Sequence, residues 1–343
     1  MKRYGNLYAK IYDLENLVLA HKNARKRKTF YSEVKVIDAD PMPYLREIQK
    51  SLINHTYQTS KYTIFDKFDS GKIRTIYKLP YYPDRIVHWA IMQVLEPIIV
   101  NTFTINTCAS IPGRGTHKAL MLEDKYLKSD PEGTKYCLKL DIKKFFPSVD
   151  HDILIKMLYR KFKDPELLDL LEGIIRSVDS GLPIGNYLSQ YLANFYLAYF
   201  DHWLKEKKKV KYYIRYMDDI VIYSSNKEEL HQLYSDIKEY LENNLKLTIK
   251  DNWQIYPTYM RGSDFVGYRH FGHKVRLRRS IALKIRRLSN RIRRRGYITE
   301  HDYGSLKSYS GWIKWCDSGG LKYVYIDVLR PYIINYERLH RRR

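Results

Sequence analysis

Apolar positions change their spacing from segment to segment along the chain, and the changes mark out its elements. Leu7, Ile11, Leu14, Leu17 and Val18 recur at helical intervals, so residues 1–60 read as a helical stretch. A second short helix, Tyr44 to Ile53, follows the breakers Pro41 and Pro43. Residues 61–79 alternate with period two on either side of Ser70-Gly71, the pattern of a β-hairpin. An amphipathic helix then runs to about Ile99, and another starts at about Thr116. Cys137–Ile142 reads as a strand that ends on a carboxylate, Asp141. Asp150 follows as N-cap of a helix whose apolar face is Ile153, Leu154, Met157 and Leu158. After the loop that opens with Gly181, a long helix carries Leu188, Leu192, Phe195, Tyr199 and Leu204. Two β-favouring runs, Tyr212–Tyr216 and Ile220–Tyr223, flank Asp218-Asp219, giving strand, tight turn and strand. Asn226–Asn244 reads as a helix, Leu245–Tyr256 as a strand, Ser305–Trp315 as a helix and Gly319-Gly320 as a turn.

The order strand, helices, hairpin, helix, strand is that of a split β-α-β, ferredoxin-like unit. Aspartates suit turns for their own sake, because their side chains bond the local backbone. Here, however, the pair sits between two largely apolar strands, at the rim of a sheet. Adjacent carboxylates repel, and a cation between them relieves this. All-oxygen ligands suit Mg²⁺, which takes one or two carboxylates and completes its shell with water and phosphate. A strand-end Asp141 and an Asp218-Asp219 hairpin, distant in sequence, are the carboxylates a split two-metal site needs, with metals ~3.5–4 Å apart.

Charge narrows the partner. Lys plus Arg number 61 against 38 acidic residues, a net +23 over 343 residues, which points to a polyanion. The 33 tyrosines interleave with Lys and Arg, a composition that serves base stacking and a Tyr-rich core alike. From Val275 the basic residues crowd: Arg276, Arg278, Arg279, Lys284, Arg286, Arg287, Arg291 and Arg293–Arg295, with Ile281, Leu283, Ile285, Leu288 and Ile292 between them. This is expected to be a helix that grips nucleic-acid phosphates. The earlier cluster His21–Lys28 suits a solvated face or an RNA contact. No apolar run reaches ~18 residues, so no membrane partner is expected. Three scattered cysteines fit a reducing, cytoplasmic setting.

The tetrapeptide Tyr216-Met217-Asp218-Asp219 resembles the signature box of reverse transcriptases without a mismatch. Leu79–Ala90 and Ile111–Ala119 resemble the first two sequence blocks of the group II intron-related enzymes, and Ser263–Arg269 resembles their primer-gripping turn. Ile111 departs from the arginine many relatives carry there. The implied fold is α+β with the right-hand polymerase architecture: a helical basic extension over 1–60, fingers over 61–136, a ferredoxin-like palm carrying the hairpin over 137–262, and primer grip with helical basic thumb over 263–343. By position, Asp141, Asp218 and Asp219 match the metal-binding catalytic carboxylates, with the Ile142 carbonyl as a further ligand for two Mg²⁺ ions, which Mn²⁺ can replace. Lys72 and Arg74 match residues over the deoxynucleoside triphosphate, and Phe146 the aromatic that excludes a ribose 2′-hydroxyl. Two lysines, Lys246 and Lys250, stand open as the general acid.

One box is distinctive. Pro183-Ile184-Gly185…Ser189-Gln190 stands where intron and retroviral enzymes carry Pro-Gln-Gly…Ser-Pro, and it resembles the enzymes of diversity-generating retroelements. That implies a bacterial or phage polymerase copying a template-repeat RNA with errors at adenines, Ile184, Gly185 and Gln190 lying near the nucleotide. It also implies a small accessory variability protein, a pentameric barrel, as partner beside template RNA and the cDNA/RNA duplex. A retron or antiphage-defence enzyme, or an RNA-binding maturase that no longer polymerises, are the competing readings.

Overall fold

The computed structural model describes residues 3–69 and 71–340, apart from the side chains of Asp69 and Lys72. Ser70 of the expected hairpin turn lies outside the described residues. Two compact units interleave along the chain. The first holds 1–111, 141–210 and 235–251; the second holds 112–140, 211–234 and 252–343.

The first unit is mainly helical. The helical stretch expected over 1–60 is four helices, Tyr8–Tyr12, Leu14–Ala24, Ser32–Ala39 and Pro41–Ile53. The last starts three residues before the expected Tyr44, because Pro41 and Pro43 sit in its first turn, where no intrahelical N–H is needed, and do not break it. Asp13 caps the second by accepting from the Glu15 and Asn16 amides, which the helix leaves without intrahelical partners. The centre of the unit is the helix Ile86–Val100, whose Ile86, Val87, Ala90, Ile91, Met92, Leu95 and Ile99 are buried. A helix apolar on nearly every side belongs inside. Helix Tyr187–Tyr196 packs on it and is itself buried from Leu188 onward except at Gln190. The single long helix expected to reach Leu204 is divided at Leu197: Ala198–His202 and a wide turn Trp203–Lys207 follow. Asp150 accepts from Ile153 N at 3.0 Å and caps His151–Lys161, as its position before the apolar run implies. Strands β1 (Thr63–Asp69) and β2 (Lys72–Lys78) form the expected antiparallel hairpin, with Phe65 opposite Ile76 and Lys67 opposite Arg74. A two-residue strand, β3, is Thr107–Cys108.

The second unit is built on β4 (Tyr136–Asp141), β5 (Tyr212–Tyr216), β6 (Asp219–Ser224) and β7 (Gln254–Pro257), adjacent in the order β5-β6-β4-β7. The last residue of β4, Asp141, belongs to the first unit. Helix Thr116–Ser129 packs on β5. The strand expected over Leu245–Tyr256 is a correction. The preceding helix continues through Leu245, Lys246 turns with a left-handed φ of 49°, and only Gln254–Pro257 pairs with β4. Strands β8 (Ser263–Phe265), β9 (Tyr268–His270) and β10 (Val275–Leu277) form a small antiparallel sheet. The basic helix is Arg279–Arg295, burying Ile285, Leu288 and Ile292, whereas Leu283 is exposed. Leu288 and Ile292 join Ile298, Leu306 and Leu329 in a local core. The helix expected at Ser305–Trp315 starts earlier, at Glu300, because Thr299 and Asp302 form a capping box. Gly319-Gly320 is no turn: it opens a helix that runs to Tyr325.

Candidate active site

Tyr216 pairs with Asp219, so Met217 and Asp218 form a two-residue hairpin loop. Two-residue loops that match strand twist need a positive φ, and Met217 supplies it at 58°, a left-handed conformation costly for a non-glycine residue. Arg215, fully buried, donates from Nη1 to the Met217 carbonyl at 3.0 Å and steadies that loop. A buried arginine carries no sequence signal of its own, since it alternates into an apolar strand like any core residue.

Lys139 of β4 places its ammonium 3.8 Å from Asp219 Oδ1 and also donates to the main-chain carbonyl of Asp264. This brings the start of β6 level with the end of β4. Asp141 lies two residues beyond Lys139, on the same strand face by the period of two. Asp264, in the expected primer-gripping turn, is held in turn by Arg278 Nε at 2.6 Å. Beneath Lys139 is a buried polar group that sequence reading missed. Tyr223 donates to Glu123 Oε1 at 2.7 Å and shares a hydrogen bond with Ser263 Oγ at 2.8 Å. Burial pushes the Glu123 carboxyl up to about 7, against the opposing pull of Ser263, Tyr223 and Lys139. The available signal was a glutamate on the same helix face as the buried Ala119, Leu120 and Leu127.

In the first unit, Lys250 clasps Asp141 twice. Its ammonium meets Oδ2 at 2.5 Å and its amide donates to the Asp141 carbonyl at 2.8 Å. Ile142, buried, bridges Ile249 next door. Lys246 lies elsewhere, pairing with Asp150 at the helix cap at 2.6 Å, so of the two lysines Lys250 is the one that meets Asp141.

Backbone contacts join the remaining expected residues. The Phe146 carbonyl accepts from Leu182 N at 2.8 Å, and Gly181 (φ 70°) sits so close that a Cβ there would come within 2.6 Å of that carbonyl oxygen. The Ile184 carbonyl accepts from Tyr77 N of β2 at 2.9 Å. Gly185 (φ 128°) passes Tyr77 so closely that a Cβ would lie 2.7 Å from its carbonyl oxygen. The loop 181–185 therefore ties the Phe146 turn to the strand that carries Arg74. Phe146 and Ile184 are half-buried, Arg74 and Gln190 are exposed, and the Lys72 side chain lies outside the described residues.

Among the described residues no three His, Cys, Asp or Glu side chains form a metal cage. Asp141 nevertheless has one buried oxygen, Oδ1, with no hydrogen-bond partner among the described residues. An unpartnered carboxylate oxygen of this kind suits a hard cation such as Mg²⁺, which needs few protein ligands when substrate phosphate supplies others.

Residues 64–256 match the family described as "Reverse transcriptase (RNA-dependent DNA polymerase)". The chain belongs to the reverse transcriptase family. Its described residues are mixed α and β about a central sheet. It is 25% identical over 243 residues to protein YkfC of Escherichia coli, covering 58% of this chain and 64% of that one. To the group II intron-encoded protein LtrA of Lactococcus lactis it is 24% identical over 314 residues, covering 70% and 51%. To the retron Ec73 reverse transcriptase of Escherichia coli it is 27% identical over 267 residues, covering 72% and 80%. The chain thus spans about half to two thirds of the first two relatives. No helix among the described residues is long and apolar enough to cross a membrane.

Proposed function

We propose that the chain is an RNA-directed DNA polymerase that extends a primer on template RNA with deoxynucleoside triphosphates. The observation that carries this is Asp141, clasped by Lys250 through Oδ2 and left with a buried Oδ1, in a chain whose residues 64–256 match the reverse transcriptase family. Asp141 and Asp218, with Asp219 and the Ile142 carbonyl, would hold two Mg²⁺ ions. Bound there, the ions would supply Lewis acidity for the primer hydroxyl and for the departing pyrophosphate. Lys250 orients the Asp141 carboxylate. Lys72 and Arg74 bind the triphosphate, Phe146 excludes a ribose 2′-hydroxyl, and Gly185 and Gln190 flank the nucleotide. Residues 61–136 act as fingers, 137–262 as palm and 263–343 as primer grip and thumb, with 1–60 as a basic extension.

Ile184 supports the finer assignment to a diversity-generating retroelement: cytoplasmic, bacterial or phage-encoded, working on a template-repeat RNA with a pentameric accessory protein. The match to a retron enzyme favours a second reading, and a template-repeat and variable-repeat pair beside the gene decides between them. Asp218→Asn should abolish primer extension while RNA retention on filters is kept or slightly raised, because a negative charge near phosphate is removed. Robust extension by that variant would overturn the metal assignment.

A further inference from the structure

A cavity of about 350 Å³ in the first unit, with Asp141 not among its lining residues, is walled by the N-terminal helices, β2 and the Gly185 loop. Its size is at the low end for small-ligand sites (~300–1,000 Å³), enough for one nucleotide unit. His88 lines it, only 2% exposed, and its Nε2 is buried with no hydrogen-bond partner among the described residues. Buried polar nitrogens are ordinarily paired with protein, water or ligand, so a bare one on a cavity wall offers a hydrogen bond to whatever enters the cavity. Burial lowers His88 to about 4, so the ring is neutral at pH 7 and offers an uncharged hydrogen bond.

The other walls have matching chemistry. Tyr187 is held flat against Trp89, ring centroids 4.2 Å apart, and Tyr31 stands at the mouth, 44% exposed. Aromatic walls of this kind stack bases without regard to sequence. Lys28, Lys78 and Arg85 add positive charge, Arg85 anchored through Nε to the Ala24 carbonyl at 3.1 Å, and outnumber the one lining carboxylate, Glu33, which accepts from Tyr82 N at 2.9 Å. The two lysines come from separate segments, Lys28 from the turn after helix Leu14–Ala24 and Lys78 from the end of β2.

We propose that this cavity takes one nucleotide of single-stranded RNA, turned out of the strand, with its base against Tyr31 and Tyr187 and an edge atom on His88 Nε2. The proposal rests on the reading of the chain as an RNA-handling polymerase and adds a binding site to it. It is tested on the full chain with a short single-stranded RNA carrying thiouridine. Photo-crosslinks should map to the peptide bearing Tyr31 or that bearing Tyr187. His88→Phe, which removes the hydrogen bond, and Ser32→Trp, which fills the mouth from an exposed position, should each weaken RNA binding by about three- to tenfold and abolish those crosslinks. Uridine monophosphate should not displace the RNA. Unchanged affinity and crosslinks in both variants would overturn the proposal. So would displacement by the mononucleotide, which would make the cavity a free-nucleotide site. Primer extension by the parent is measured in parallel: its failure overturns the polymerase reading, while the crosslinks still judge the cavity.

Discussion

Lys250 holds Asp141 by both side chain and main chain: Nζ meets Oδ2 at 2.5 Å, and the Lys250 amide meets the Asp141 carbonyl at 2.8 Å. The carboxylate cannot rotate without breaking the ion pair, so Oδ1 stays in its buried position. Residues that orient metal ligands typically affect activity by 10–100-fold. Lys250→Met is therefore expected to slow single-turnover extension by about that factor with RNA affinity kept, and Lys250→Arg to recover part of it. Equal rates for parent and Lys250→Met across a Mg²⁺ series would remove Lys250 from the site.

The Phe146 turn is clamped from behind by Leu182 N and the Gly181 backbone, and its ring meets Phe145 edge-on at 5.8 Å. On the proposed function, a ring so fixed would exclude a ribose 2′-hydroxyl by shape. Phe146→Val should raise ribonucleotide incorporation relative to deoxynucleotide by about tenfold or more, a difference of ~1.4 kcal/mol. Competition assays with paired nucleotides measure it, and an unchanged ratio would leave Phe146 a packing residue.

Because Tyr77 N fixes the Ile184 carbonyl, a substitution there alters side-chain chemistry and leaves the loop path in place. Isoleucine can make no hydrogen bond, and one such bond is worth ~1 kcal/mol net, a several-fold change in discrimination. Ile184→Gln should lower misincorporation several-fold, chiefly opposite template adenine. Deep sequencing of cDNA from one adenine-containing template reads this directly, and identical error spectra would count against it.

Glu123 links stability to pH. Its pKa is raised from 4.5 to about 7 in the folded chain, so folding holds a proton that the unfolded chain has already released. That contribution is complete below about 4.5 and is lost as pH rises through about 7. Glu123→Gln keeps an acceptor for Tyr223 and cannot ionise. It should match the parent near pH 5 and exceed it at pH 8, by a few kcal/mol at most, since one pKa unit is ~1.4 kcal/mol. Thermal melts at the two pH values check the sign; a constant difference would mean Glu123 does not titrate in this range.

Local pattern was enough, from sequence alone, for the β1–β2 hairpin, the Asp150 cap, the hairpin that carries Asp218-Asp219 and the basic helix, although the hairpin loop proved to be Met217-Asp218, one residue earlier than the expected Asp-Asp turn, and Leu283 of the expected apolar stripe is exposed. Each is specified by near neighbours: alternation, a capping oxygen, a turn carboxylate, a helical stripe. The family was legible for the same reason, since its motifs are contiguous. Pattern failed where neighbours were ambiguous. Apolar residues from Leu245 to Tyr256 suit strand or helix end, and Gly319-Gly320 can open a helix when packing beyond it provides the stability. What only the tertiary structure decided was partnership across long separations. Lys250 and not Lys246 meets the Asp141 carboxylate, Arg215 braces Met217 from within the core, and Glu123 joins Tyr223 and Ser263 beneath Lys139. The physical reason is that burial sets these pairings: a charge taken out of water must find its partner wherever the chain brings one, and nothing in its neighbours along the sequence says where that will be.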